Sequence, residues 1–175
     1  MPDAREGDVV TCPPAAILLR QFDGERCLRL DLILRLLALE EADGSGTDGR
    51  RIYHAYRTRR PAADKSLDGF RRVLADIRQH GFDPKRPITV ARDGAIPDGA
   101  HRLACAVHLD LPGVPVRLVG AEHRFYAVTA SWFRRHGFDA RDITVLEEAA
   151  ARYRRRALAA FGADGHAAGS SDAHG

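Results

Sequence analysis

The residues best equipped for chemistry are gathered in one short string, Asp98-Gly99-Ala100-His101-Arg102. A strand pattern precedes it, Pro87-Ile88-Thr89-Val90. The tight turn Asp93-Gly94 and a second short strand, Ala95-Ile96-Pro97, lead into it. A helix opens at Gly99, and Val114-Pro115-Val116 reads as the next strand. The polar cluster Asp98, His101 and Arg102 thus falls where a strand hands over to a helix. Backbone N–H groups at a helix N-terminus are unpaired and carry partial positive charge, which favours phosphate and other anions. Gly99 permits close backbone approach and unusual φ values, and the small Ala100 keeps the turn open. Cations are disfavoured in a first helical turn, so His101 and Arg102 there are easier to explain if an anion is present. The competing reading is purely structural: Asp98 caps the helix and Arg102 pairs with it.

A second group is basic and aromatic. Arg50, Arg51, Arg57, Arg59 and Arg60 are interleaved with Tyr53, His54 and Tyr56 in a segment of helical character. Tyr53, His54 and Arg57 are candidate substrate contacts, holding a nucleotide or a phosphorylated molecule. Stacking plus charge is also the chemistry of single-stranded nucleic acid binding, and a solvated helix face is the plain alternative. Arg154-Arg155-Arg156 reads as structural, at the end of a helix where cations are favoured. Among the remaining histidines, His108, His123, His136 and His166 lack metal-ligand spacing, and no metal site is expected from the protein alone.

These residues need a scaffold. At 175 residues, 45% of them hydrophobic, the chain has the size and composition of one globular domain. Net charge is +3, with 24 acidic residues interspersed among the basic ones, which argues against nucleic acid as a partner. Arg dominates the basic residues, with Lys only at Lys65 and Lys85. Cys12, Cys27 and Cys105 are odd in number and form no Cys-x-x-Cys pair, the pattern of a reduced, cytoplasmic protein. Asp3 and Glu6 argue against a signal peptide. The leucine-rich run Leu28–Leu39 is interrupted by Arg29, Asp31 and Arg35 and is too short to span a bilayer. No membrane association is expected.

Along the chain, residues 1–14 read as a flexible lead, 15–161 as one domain and 162–175 as a disordered tail. Ala15–Phe22 suggests a short strand and Asp23-Gly24 a turn. A helix is expected over Glu25–Ala42, with Leu30, Ile33, Leu34 and Leu37 on one face. Asp43–Gly49 is a flexible loop. Ser66 should cap a helix whose core face is Leu67, Phe70, Leu74 and Ile77, ended by Gly81. Thr129–His136 is a short helix stopped by Gly137, and Asp139 caps a long one bearing Ile143, Leu146, Ala150 and Tyr153. His-Gly-Phe-Asp occurs at His80 and again at His136, the same helix-stop, helix-start chemistry used twice.

With these motifs placed, the chain resembles the ParB/sulfiredoxin-like superfamily, specifically ParB N-terminal domains, over about residues 64–120. The resemblance rests on the helix Ser66–Gly81, the strand Pro87–Val90, Ile96-x-Asp98-Gly99-x-His101-Arg102, the helix with Ala104, and Val114-Pro115-Val116. Leu28–Leu37 and Trp132–Tyr153 resemble a subgroup of small bacterial ParB-like proteins, less specifically. The resemblance implies an α/β fold: a small mixed sheet with N- and C-terminal helices packed around it. Sulfiredoxins carry a catalytic cysteine immediately before His-Arg, where this chain has Ala100. Chromosome-partitioning members carry a Gly-Glu-Arg-Arg-type motif and a downstream helix-turn-helix domain, for which too little chain follows. Free serine kinases of this fold use an Asp-Gly-His-His-Arg-like motif on nucleotide phosphates, and Asp98-Gly99-Ala100-His101-Arg102 is most similar to that version.

The resemblance therefore implies a kinase taking ATP or ADP with Mg²⁺ and phosphorylating a hydroxyl of a polar metabolite such as an amino acid, sugar or cyclitol. A non-catalytic nucleotide-binding regulatory module is the alternative. Phosphates would lie on Asp98, Gly99, Ala100, His101 and Arg102. The related kinases place an acidic base in an N-terminal segment, where the candidates are Asp31 and Glu25. Burial among leucines would raise the Asp31 pKa; alternatively, Asp31 pairs with Arg35 on a solvated face. Glu25 can instead simply favour a helix N-terminus.

Overall fold

A computed structural model describes residues 5–42, 48–60, 66–120 and 127–167. Their order is β1 (Val9–Cys12), α1 (Pro14–Leu19), β2 (Phe22–Asp23), β3 (Arg26–Cys27), α2 (Leu30–Ala42), α3 (Gly49–Arg59), α4 (Leu67–His80), β4 (Ile88–Ala91), α5 (Ala100–His108), β5 (Val114–Val119), α6 (Ala130–Arg135) and α7 (Ala140–Ala167). The architecture is mixed α/β. Three strands form the main sheet in the order β1-β5-β4, and β2 and β3 form a separate hairpin. β5 is central. It runs antiparallel to β1, with Cys12 opposite Val114, and parallel to β4, with Ile88 opposite Val116. α5 is the crossover that parallel neighbours require.

α2 is buried on nearly every side: Leu30, Leu32, Ile33, Leu34, Leu36, Leu37, Ala38 and Leu39 are all in the core. A helix that is apolar all round belongs in the middle of a structure, and α2 packs against α3, α5 and α7. Burying each leucine contributes roughly 1.5–3 kcal/mol, so this helix is the main anchor of the fold. α4 instead shows one apolar stripe, with Phe70, Leu74 and Ile77 buried. Ser66 Oγ accepts a hydrogen bond from the Gly69 N–H at 3.0 Å, and the helix stops at Gly81 with φ +78°. The second His-Gly-Phe-Asp string shares only the stop, with Gly137 after α6 at φ +74°; the helix start expected at both strings occurs only at the second, because the chain after Asp83 turns into β4. Asp139 Oδ1 accepts from the Asp142 N–H at 2.7 Å, capping α7.

Several expectations need correction. The segment expected to be a loose lead contains β1, because Val9–Cys12 completes the sheet along the free edge of β5. The expected strand at Ala15–Phe22 is mostly helix α1, with Pro14 at the first helical position, where its missing N–H costs nothing. α2 starts at Leu30 rather than Glu25. The preceding residues form the β2–β3 hairpin, and Arg29 bridges to Val128. α7 continues to Ala167, past the expected boundary at Gly162; positions 168–175 lie outside the described residues. Arg154–Arg156 consequently sits inside a helix, not at its end, and Arg156 pairs with Asp110. Of the loop expected at Asp43–Gly49, positions 43–47 also lie outside the described residues.

Candidate functional site

The site begins with a reversal after β4. Asp93 Oδ1 accepts from the Ala95 N–H at 2.9 Å, and the Ala91 N–H donates to the Ala95 carbonyl at 2.9 Å. The second strand expected here is reduced to one bridge, in which the Thr89 N–H donates to the Asp98 carbonyl at 3.1 Å. Gly99 then turns the chain into α5 at φ +98°. A Cβ at Gly99 would stand 3.2 Å from the Ile88 Cα, so both its backbone angle and the space against β4 require glycine. The Gly99 carbonyl takes the first helical hydrogen bond, from the Leu103 N–H at 2.8 Å. The next N–H groups, from Ala100 onward, form the open end of α5.

Arg102 does not reach into open space. Its guanidinium donates to the Arg86 carbonyl, to the Pro87 carbonyl at 3.0 Å and to Asp98 Oδ2 at 2.5 Å. The Arg102 side chain is 15% exposed and that of Asp98 73%. Asp98 makes no side-chain cap to α5 and pairs with Arg102 instead. The cation expected to meet an anion is thus largely committed to the chain before β4, and positions the turn. His101 is half-buried: its Nε2 lies 3.1 Å from the Tyr53 hydroxyl, and its ring stands edge-on to Phe70 at 4.8 Å.

Asp98 to Arg102 line a cleft of about 260 Å³ against α4 and the α4–β4 connection. Asp76, Asp83 and Arg86 also line it, and none of the three stood out in the sequence. Asp83 belongs to the first His-Gly-Phe-Asp string, read only as a helix signal, and no motif marks Asp76 or Arg86. The signal available was position, since the connection between Gly81 and Pro87 must pass beside a turn that pairs with Thr89.

The structure brings Tyr53 to His101, joining two groups that were far apart in the sequence. Tyr53 shares a cavity with His54 and Arg57 on α3, alongside Arg50, Arg51 and Leu67. The two candidate bases are elsewhere. Glu25 lies in the β2–β3 turn and faces a third cavity with Thr129, Ser131 and Glu147, and neither Glu25 nor Asp31 lines the α5 cleft. Asp31 is 2% exposed. Its carboxylate receives Arg29 at 2.7 and 2.9 Å and Arg35 at 2.9 Å. Burial alone would push the Asp31 carboxyl up, but the two guanidiniums outweigh it and hold it well below the usual carboxylate range. The expected rise in its pKa is therefore reversed. The pairing with Arg35 is present, but in the core rather than on a solvated face.

All three cysteines are buried and reduced. Burial pushes the Cys27 and Cys105 thiols up to about 12, which removes them as nucleophiles. Among the described residues, no helix is long and apolar enough to cross a membrane. Comparisons with family models, curated proteins and solved structures give no match.

Proposed function

We propose that this chain is a nucleotide-binding module of the ParB/sulfiredoxin-like type, holding the phosphates of a magnesium–nucleotide complex over the N-terminus of α5. The observation that carries this reading is the Gly99 turn. It presses the backbone against β4 and leaves the first α5 N–H groups and His101 beside a cleft. Helix N-termini of this kind suit phosphate oxygens. The charge of the cleft supports magnesium as part of the ligand. Asp76, Asp83 and Asp98 face only Arg86 and Arg102, which would repel a bare polyphosphate. Among the described residues, no group of three or more His, Cys, Asp or Glu is arranged to hold a metal by itself. Mg²⁺ needs only one or two carboxylates when phosphates supply the remaining oxygens, so Asp83 and Asp98 fit that role; the ion would neutralise the phosphates.

Phosphoryl transfer to a hydroxyl is the second reading. It is favoured by the same carboxylates, since an acceptor hydroxyl needs a base within hydrogen-bond reach, and Asp76, Asp83 and Asp98 are in the cleft while Asp31 and Glu25 are not. The test is a thermal-shift series with ATP, ADP and CTP, each with Mg²⁺ and with EDTA. At a hundredfold excess over Kd, binding stabilises by about 2.7 kcal/mol, or roughly 5–10 °C for a chain of this size. The rise should require Mg²⁺ and should weaken about tenfold in affinity in His101→Ala. No shift at millimolar nucleotide would refute the module. Transfer of phosphate to hydroxylated metabolites would then separate the kinase from the regulatory module.

A further inference from the structure

Behind Tyr53, away from the α5 cleft, α3 presents a cavity of opposite character. Its volume is about 260 Å³, and Arg50, Arg51, Tyr53, His54, Arg57 and Leu67 line it, with no carboxylate among them. Arg51 is already committed, to Asp142 at 2.5 Å and Asp48 at 3.1 Å. Glu41 approaches Arg50 only at its backbone N–H, at 2.5 Å. Among the described residues, the Arg50 and Arg57 side chains make no ion pair. Arg57 Nε is buried with no hydrogen-bond partner. A buried guanidinium N–H without an acceptor is rare and calls for an explanation such as an ion.

We propose that this cavity is a second site, built for the phosphate group of a small phosphorylated molecule. Arg side chains present planar forks that match phosphate oxygens, and two of them with a histidine suit a dianion better than a single carboxylate. The volume lies below the ~300–1,000 Å³ of pockets that engulf drug-sized ligands, so the cavity takes a phosphate-bearing end while the rest of the molecule stays outside it. Tyr53 lines this cavity, and its hydroxyl stands 3.1 Å from Nε2 of His101, which lines the α5 cleft. The α3 site is separate from the α5 cleft and needs no nucleotide there.

Inorganic phosphate is the probe, titrated into the full chain in EDTA at low, matched ionic strength and followed by calorimetry and melting temperature. Without Mg²⁺ the carboxylates of the α5 cleft disfavour phosphate there, so the two sites are read separately. Saturable binding is expected, weakened about tenfold or more by Arg57→Gln. Arg50→Gln, at an exposed position, should weaken it too, and remains informative if Arg57→Gln fails to fold. Arg86→Gln, in the α5 cleft, should leave it unchanged. Three results would overturn the site: no saturable binding to the wild type, loss on Arg86→Gln but not on the α3 variants, or equal affinity for acetate.

Discussion

Replacing Asp31 by Asn should destabilise this protein severely, and for a reason unrelated to catalysis. Asp31, Arg29 and Arg35 have side chains only 3%, 10% and 4% exposed, and the single carboxylate faces both guanidiniums. Asn keeps the size but removes the charge that the buried Arg29 and Arg35 both face. Breaking a buried pair in this way costs about 3–5 kcal/mol, against a total stability of roughly 5–15 kcal/mol for a typical domain. With a urea m-value near 2 kcal/mol/M, the midpoint of unfolding should fall by about 1.5–2.5 M. The acid limb provides an internal check. The Asp31 pKa is depressed in the folded state, so its contribution is present in full above the unfolded value and is lost as pH falls through the folded one. The gap between wild type and Asp31→Asn should therefore narrow progressively below about pH 5. A midpoint within about 0.5 M of wild type, at unchanged m, would refute the ion-triad account. Loss of turnover with intact stability would return Asp31 to the role of a base.

Gly99→Ala should cost more than about 1 kcal/mol, because φ is +98° and the added Cβ meets Ile88; it should also weaken nucleotide binding, by urea unfolding and thermal shift. The cysteines should be silent. In the native protein none of Cys12, Cys27 and Cys105 should react with a thiol reagent at pH 8, all three should react in urea, and Cys105→Ala should keep nucleotide binding; rapid native labelling would contradict the burial.

The elements legible in the sequence were those whose signals are local. Ser66, the Phe70–Leu74–Ile77 spacing and Gly81 each act within one helix, and α4 has the expected bounds and cap. β5 and the Gly99-opened α5 were legible for the same reason. β1 was not: Val9–Cys12 has no pattern of its own and is a strand only because β5 offers an edge. α1 was misread because Ala15–Leu19 has no period that separates strand from helix, and Pro14 decides it. The same division runs through the site. Gly99 and His101 lie where the motif puts them. The Tyr53–His101 contact, and the arrival of Asp76, Asp83 and Arg86 in the cleft, depend on how α3 and α4 pack against α5.

Arg102 posed the sharpest problem in the sequence, a cation in a first helical turn, and the structure answers it without a ligand. The unfavourable helix end is offset by two carbonyls, Arg86 and Pro87, and by the Asp98 carboxylate. Arg102 thereby fixes the α5 end against the chain that precedes β4, beside the cleft that His101 also lines. Positive charge gathers instead on α3, where Arg50 and Arg57 line a cavity with no carboxylate among its described lining residues. Under the two proposals the cavities would divide the electrostatic work: the carboxylate-bearing cleft would take a phosphate that arrives with its metal, and the arginine-lined one a phosphate that arrives without. Tyr53 lines the α3 cavity and its hydroxyl stands 3.1 Å from His101 of the α5 cleft, so Tyr53→Phe should leave each site standing while removing that contact.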